Sequence, residues 1–200
     1  PLHGIRVLDL TSYLMGPFAT QILGDMGAEV IKVEPPEGDL VRAIGPMPQP
    51  GLGGMFMQMN RNKRGIVLDL KQPAGRDAAL RLAARADIFV YNVRPQAMAR
   101  LNLGYDVVSE INPRLIYAGV FGFGQDGPYH KRPGFDQIAQ GMGGLMSITG
   151  APGEGPMRVG IPVADLTAGL FCALGILTAL LERAVSGGGQ WVQTSLLQAQ

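Results

Sequence analysis

Apolar positions along the chain fall into short runs broken by small or polar turns, and the runs alternate between strand-like and helix-like lengths. Gly4–Leu10 reads as a strand, Thr11–Pro17 as a small-residue turn, and Phe18–Met26 as a helix. Gly27 then stands where a helix C-terminal glycine belongs. A second strand, Ala28–Val33, ends at Glu34 and is stopped by Pro35 and Pro36. This βαβ unit predicts a parallel pair joined by a right-handed crossover. The alternation continues with a strand at Gly65–Leu70, a helix at Ala74–Ala86 and a strand at Asp87–Asn92. Helical stretches at Ala97–Leu101 and Tyr105–Asn112 then lead to a strand at Leu115–Gly119. The fold class this specifies is α/β, an open doubly wound sheet covered on both faces.

Two Gly/Pro-rich loops, Gly122–Gly134 and Gly150–Gly160, flank an expected helix at Phe135–Ser147. The first is long enough to be functional or mobile. Beyond Asp165 runs an apolar stretch, Leu166–Leu181, bracketed by Asp165 and Glu182. It is shorter than the roughly 20 apolar residues that a membrane crossing needs. Its small residues (Ala168, Gly169, Ala173, Gly175, Ala179) favour close packing, so it is expected to be a buried helix. Gly187–Gly189, a strand at Gln190–Ser195 and the apparent first turn of a helix at Leu196–Gln200 close the sequence. A domain rarely stops one turn into a helix, so the 200 residues are expected to be part of a longer polypeptide.

Composition narrows the function classes. Apolar residues make up 46% and charged residues 16%, which suits a buried sheet. A net charge of +1 provides no global field to attract nucleic acid or an anionic membrane. The single cysteine excludes an internal disulfide, and with no recognisable signal peptide it predicts a cytoplasmic setting.

The first βαβ unit, with Glu34 closing its second strand, invites a dinucleotide reading. The turn Thr11–Pro17 lacks G-x-G-x-x-G, and without those glycines the backbone cannot approach a pyrophosphate. The basic stretch Asn60-Arg61-Asn62-Lys63-Arg64 admits a polyanion pocket or a solvated face, and spacing does not choose between them. Asp165, at the mouth of the apolar helix, is either an N-cap or a nucleophilic carboxylate. His3 and His130 have no second ligand at metal spacing, Cys172 belongs to the apolar helix, and no metal is expected. Met55, Met57 and Met59 read as packing or as a pliable substrate wall.

Ordered motifs then add a family resemblance along essentially the whole chain. Leu2–Leu10, Gly16-Pro17, Gly24–Glu34, Gly38-Asp39 with Arg42, Asn60–Arg64, Asn112–Arg114, Pro133–Asp136 and Gly187–Gln190 resemble the family III CoA-transferases. That group includes formyl-CoA transferase, carnitine CoA-transferase and the related α-methylacyl-CoA racemase. The resemblance implies that residues 1–200 are the N-terminal part of a Rossmann-like, CoA-binding catalytic domain. It also implies a smaller second domain beyond them and an interlocked homodimer. Asp165 falls on the family's nucleophile, and Asp136 on an acidic position near the active site. Leu14, Met15, Leu68, Lys71, Asn92, Val93 and Arg100 fall on CoA-contacting positions, and Lys131 or Arg132 near a basic one. Two departures stand out: Pro35 replaces a CoA-contacting arginine, and Leu14 replaces a glutamine tied to formyl or oxalyl specificity.

The implied activity moves CoA from an acyl-CoA donor to a carboxylic acid through a covalent aspartyl intermediate. A CoA thioester serves as substrate, with no permanently bound cofactor. Racemisation is the first alternative, but Phe135 stands where the racemase pattern has a histidine. A CoA-binding module without catalysis is the second.

Overall fold

In a computed structural model describing residues 1–200, β1 (Arg6–Leu10), β2 (Glu29–Glu34), β3 (Lys63–Val67), β4 (Ile88–Tyr91), β5 (Ile116–Phe121) and β6 (Trp191–Ser195) form one sheet. Their order is β3-β2-β1-β4-β5-β6, and every pair is parallel. Parallel neighbours need long crossovers. These carry α1 (Met15–Asp25), α2 (Gly54–Met59), α3 (Pro73–Ala83), α4 (Pro95–Arg100), α5 (Tyr105–Ile111), α6 (Asp136–Met142) and α7 (Val163–Ser186).

Strand alternation sorts the core into two layers. Val7, Val30, Ile88, Val90, Ile116, Ala118 and Val120 pack with α1 and α7. Leu8, Leu10, Phe89, Tyr91, Tyr117 and Phe121 pack with α3, α4 and α5. The second layer is aromatic: Tyr117 stacks on Phe89 at 5.0 Å, and its hydroxyl donates to the Leu103 carbonyl at 2.7 Å. The first layer is built for close approach. A Cβ on Gly169 would lie 2.6 Å from the Met15 carbonyl oxygen, so glycine lets α7 cross the start of α1.

Several expectations shift; α1 starts at Met15, inside the expected turn, and β5 runs on to Phe121. β3 begins two residues before Gly65 because Lys63 and Arg64 pair with Val30 and Ile31, and it ends at Val67, with Leu68 N–H still donating to the Glu34 carbonyl at 2.9 Å. The helix expected over Phe135–Ser147 ends at Met142, because Gly144 adopts φ 85° and a short 3₁₀ turn, Leu145–Ile148, follows. α7 starts at Val163, before Asp165, and ends at Ser186 against left-handed Gly187. It is buried on one face only: Ala164, Ala168, Cys172, Ile176 and Ala179 meet the core, while Leu170, Phe171, Leu174, Leu181 and Val185 are exposed. By length and mean hydropathy (1.9) this helix could cross a membrane, yet its inner face is part of the sheet's core.

The basic stretch divides: Arg61 and Arg64 lie on a solvated face, Lys63 is interior, and none of the three lines a polyanion pocket. Arg61 pairs with Asp25 at 2.6 Å, Arg64 with Glu29 at 2.7 Å and Lys63 with Asp9 at 3.0 Å. All three cations are committed to carboxylates, and the Lys63–Asp9 pair is fully interior. The Cys172 thiol is core, and burial pushes its pKa up to about 12.

Candidate active site

The strand order reverses between β1 and β4, where open α/β sheets place their ligand crevice beyond the strand ends. Two hydrogen bonds clamp that point: Ser12 N–H donates to Asn92 Oδ1 at 3.0 Å, and Asn92 Nδ2 donates to the Ser12 carbonyl at 2.6 Å. Buried charges set the same loop from below. Lys32 Nζ donates to the Thr11 carbonyl at 2.8 Å and to Asp39 Oδ2 at 3.0 Å, and Asp39 Oδ1 accepts the Tyr13 N–H at 3.2 Å. Tyr13 is held at φ 73°, a left-handed conformation that a non-glycine residue keeps only under tertiary restraint. Asp9 accepts from Lys63, Thr11 and Thr20. Burial pushes Asp9 up, but Lys63 and Lys32 outweigh it and hold the carboxyl below its usual range.

Asp165 is not the cap of its helix. The cap position is Pro162, and the donors at the helix start go to a neighbouring carboxylate: Ala164 N–H and Asp165 N–H donate to Asp136 Oδ1 at 2.8 and 3.2 Å. Asp136 Oδ2 accepts from the fully buried Gln140 amide at 2.6 Å. Both Asp136 oxygens are thus engaged, while the Asp165 carboxylate accepts no hydrogen bond from the protein. Burial, with the charge of Asp136 second, pushes the Asp165 pKa up to about 7. A desolvated carboxylate without donors is a stronger nucleophile than a capping one.

Asp165 and Asp136 line a cavity of about 750 Å³ with Leu14, Met15 and Asn92. A second cavity, about 390 Å³, borders it across the Ser12–Asn92 clamp and takes in Leu68, Lys71 and Val93. A third, about 280 Å³, shares Met15 and Asn92 with the first and includes Arg132, Arg94 and His130. Arg100, the last residue of α4, and Lys131 are exposed and line none of the three. Pro35 lies on the second cavity, where Lys71 is the only cation.

Other walls of the main cavity escaped the sequence reading. Tyr13, Ile44, Phe135, Ile138 and Pro162 supply apolar surface and Arg158 the only cation, and Met55 also lines the cavity. The Gly/Pro-rich composition around Arg158 was the available signal, but nothing local ties that loop to Asp165. Gly122 and Gly134 explain how the first loop returns to the site. A Cβ on Gly122 would meet Gly134 Cα at 2.5 Å, so their backbones touch and set Phe135 and Asp136 beside the end of β5.

A sequence profile described as CoA-transferase family III matches residues 2–200. The chain belongs to that family. It is 44% identical over 201 residues to mouse succinyl-CoA:glutarate CoA-transferase, covering 100% of this chain and 46% of the mouse protein. It is also 44% identical over 203 residues to succinyl-CoA:mesaconate CoA-transferase of Haloarcula hispanica, covering 98% and 51% of the two. Among solved structures, a CaiB/BaiF family protein from Brucella suis superposes with a TM-score of 0.96 at 40% identity, covering 100% of this chain and 54% of that one. The chain spans about half the length of the curated relatives it matches. Family III membership also disposes of the dinucleotide reading of Glu34. Arg42 engages both its oxygens at 2.7 Å, and Asp39 N–H donates to one of them at 2.9 Å.

Proposed function

We propose that this chain carries the nucleophile and much of the CoA site of an enzyme that transfers CoA between short dicarboxylic acids. The observation that carries the reading is the Asp165 carboxylate, free of hydrogen bonds on a mainly apolar cavity while Asp136 caps its helix. Asp165 attacks the donor thioester carbonyl, the C–S bond breaks, and CoA leaves as thiolate from a mixed anhydride. The thiolate attacks the aspartyl carbonyl and releases the donor acid, leaving an aspartyl-CoA thioester. The acceptor carboxylate attacks that thioester and expels the thiolate. Thiolate attack on the acceptor's acyl carbonyl then forms the product and restores Asp165. Water would waste the thioester, so the largely apolar walls of the main cavity suit the sequence of steps.

Asp136 is a positioning residue in this scheme, since both its oxygens are occupied. Leu68, Lys71 and Val93 hold one end of CoA in the second cavity, with Lys71 in place of the arginine lost at Pro35. Leu14, Met15 and Asn92 guide the thioester to Asp165, and Arg132 serves its phosphates from the third cavity. Arg100 and Lys131 reach CoA only from outside these cavities. Succinate, glutarate and mesaconate, in the relatives' names, are all dicarboxylic acids, which motivates the substrate class. CoA is a substrate and no cofactor stays bound; the working enzyme is an interlocked cytoplasmic homodimer of longer chains. No histidine lines the main cavity, so nothing favours racemisation.

The test incubates full-length protein with succinyl-CoA, traps with hydroxylamine and maps peptides by mass spectrometry. A hydroxamate at Asp165, absent in Asp165→Ala, is the expected result. Turnover with Asp165 unmodified would sink the mechanism.

A further inference from the structure

The main cavity holds two carboxylates and one cation, and that cation has no carboxylate partner. Arg158 forms no salt bridge, and its one polar contact is a long 3.4 Å bond from Nη1 to the Val159 carbonyl. The neighbouring walls are apolar, including Tyr13, Ile44, Phe135 and Ile138. The other cations around the site serve different spaces: Lys71 lines the second cavity, and Arg94 and Arg132 the third.

The backbone beside Arg158 is anchored, and the side chain itself is exposed. Gln140 Oε1 accepts the Val159 N–H at 2.9 Å, and its amide donates to the Ile161 carbonyl at 3.4 Å and to Asp136 at 2.6 Å. One fully buried glutamine therefore fixes both the backbone beside Arg158 and the carboxylate that caps the Asp165 helix. We infer that Arg158 binds the distal carboxylate of a dicarboxylic acyl group while its other end reacts at Asp165.

This rests on the transferase reading and adds the determinant of its substrate class. A second carboxylate entering an apolar cavity that already holds Asp136 and Asp165 needs a counter-charge, and a guanidinium can meet both its oxygens at once. Arg158 pairs with neither resident carboxylate, which leaves its donors available.

Succinyl-CoA and butyryl-CoA have acyl chains of equal length and differ in the distal carboxylate. Single-turnover acylation of Asp165 by each donor, read as hydroxamate in the full-length enzyme, isolates the contribution of Arg158. Arg158→Gln is expected to lower kcat/KM for succinyl-CoA roughly 10- to 100-fold, the range lost with a hydrogen bond to a charged group. Butyryl-CoA should change less than about threefold, and Arg158→Lys should recover part of the succinyl-CoA rate. Equal losses with both donors, or no loss with either, would overturn the assignment. So would an unaltered enzyme that takes butyryl-CoA as readily as succinyl-CoA. If neither donor gives a hydroxamate in the unaltered protein, the transferase reading fails and this assignment fails with it.

Discussion

Asp136 Oδ1 takes the two backbone N–H groups, of Ala164 and Asp165, that a carboxylate at the start of α7 would otherwise claim for itself. One acid spends its charge on the helix terminus, and the other keeps its lone pairs for chemistry. The same proximity opposes ionisation of Asp165, because burial and then Asp136 both disfavour its carboxylate.

This pairing fixes a pH dependence. In the proposed mechanism the attacking form of Asp165 is the carboxylate, so acylation of the free enzyme should rise with pH, pass its midpoint at about 7 and level off above it. Asp136→Asn keeps an oxygen acceptor for the helix N–H groups and removes the charge, so the midpoint should move to lower pH. Asp136→Ala removes the cap as well and should cost about 1 kcal/mol of stability. Acylation rates from pH 5 to 9, with thermal melts alongside, check both. A midpoint that stays put in Asp136→Asn would show that burial alone sets it.

The elevated Asp165 pKa is also a statement about stability. The neutral form favours folding, so stability is lost as pH rises from the unfolded carboxyl value towards the folded one, about 7. Above that, the ionised side chain costs at most about 4 kcal/mol, and less because the site is partly open to water. Asp165→Asn should therefore raise the melting temperature more at pH 8.5 than at pH 5. Equal gains at both would contradict a perturbed carboxyl.

The strands were legible because β4 and β5 are apolar throughout and turns bracket them, which leaves a buried parallel strand as the economical reading. The halt of α6 was legible in principle at Gly143 and Gly144, but two glycines inside an otherwise helical pattern do not reveal which of them turns left-handed. Asp165 was ambiguous for a stronger reason. Its local sequence is that of an N-cap, and the residue that relieves it of that duty lies 29 positions away. Arg158 was silent because its place on the cavity depends on Gln140, 19 positions before Val159, holding the adjoining backbone, not on neighbours in sequence. The expected CoA contacts came from family resemblance; pattern and composition do not single out Leu68 or Val93.

Lys63 shows the same long reach, meeting Asp9 across 54 positions in a site where both side chains are almost fully buried. Lys63→Met should destabilise the fold by about 3–5 kcal/mol, because it strands a buried carboxylate. A compensating Asp9→Asn in the same chain should recover much of that loss. Asp9 is held below its usual range, so its contribution is whole above about pH 4 and is lost as pH falls through its depressed value. Denaturant melts of the single and double variants at neutral pH measure the coupling. A single variant as stable as the parent would mean that the pair is energetically idle.

Gly169 offers a test of whether the nucleophile's helix and the β1–α1 loop are one mechanical unit. It sits one turn beyond Asp165, and a Cβ there would come within 2.6 Å of the Met15 carbonyl oxygen and 3.0 Å of the Phe18 ring. The carbonyl belongs to the backbone, so α7 and α1 must separate to admit a methyl group. Gly169→Ala should cost about 1–3 kcal/mol in stability. The displacement acts on both sides of the main cavity, since Met15 and Asp165 line it together. Acylation at Asp165 should therefore slow even at temperatures where the variant is fully folded. Gly175→Ala is the control, because its Cβ would meet only the Val192 side chain, at 2.8 Å and away from that cavity. Equal acylation rates in the two folded variants would mean that the loop and the helix can move apart without disturbing the nucleophile.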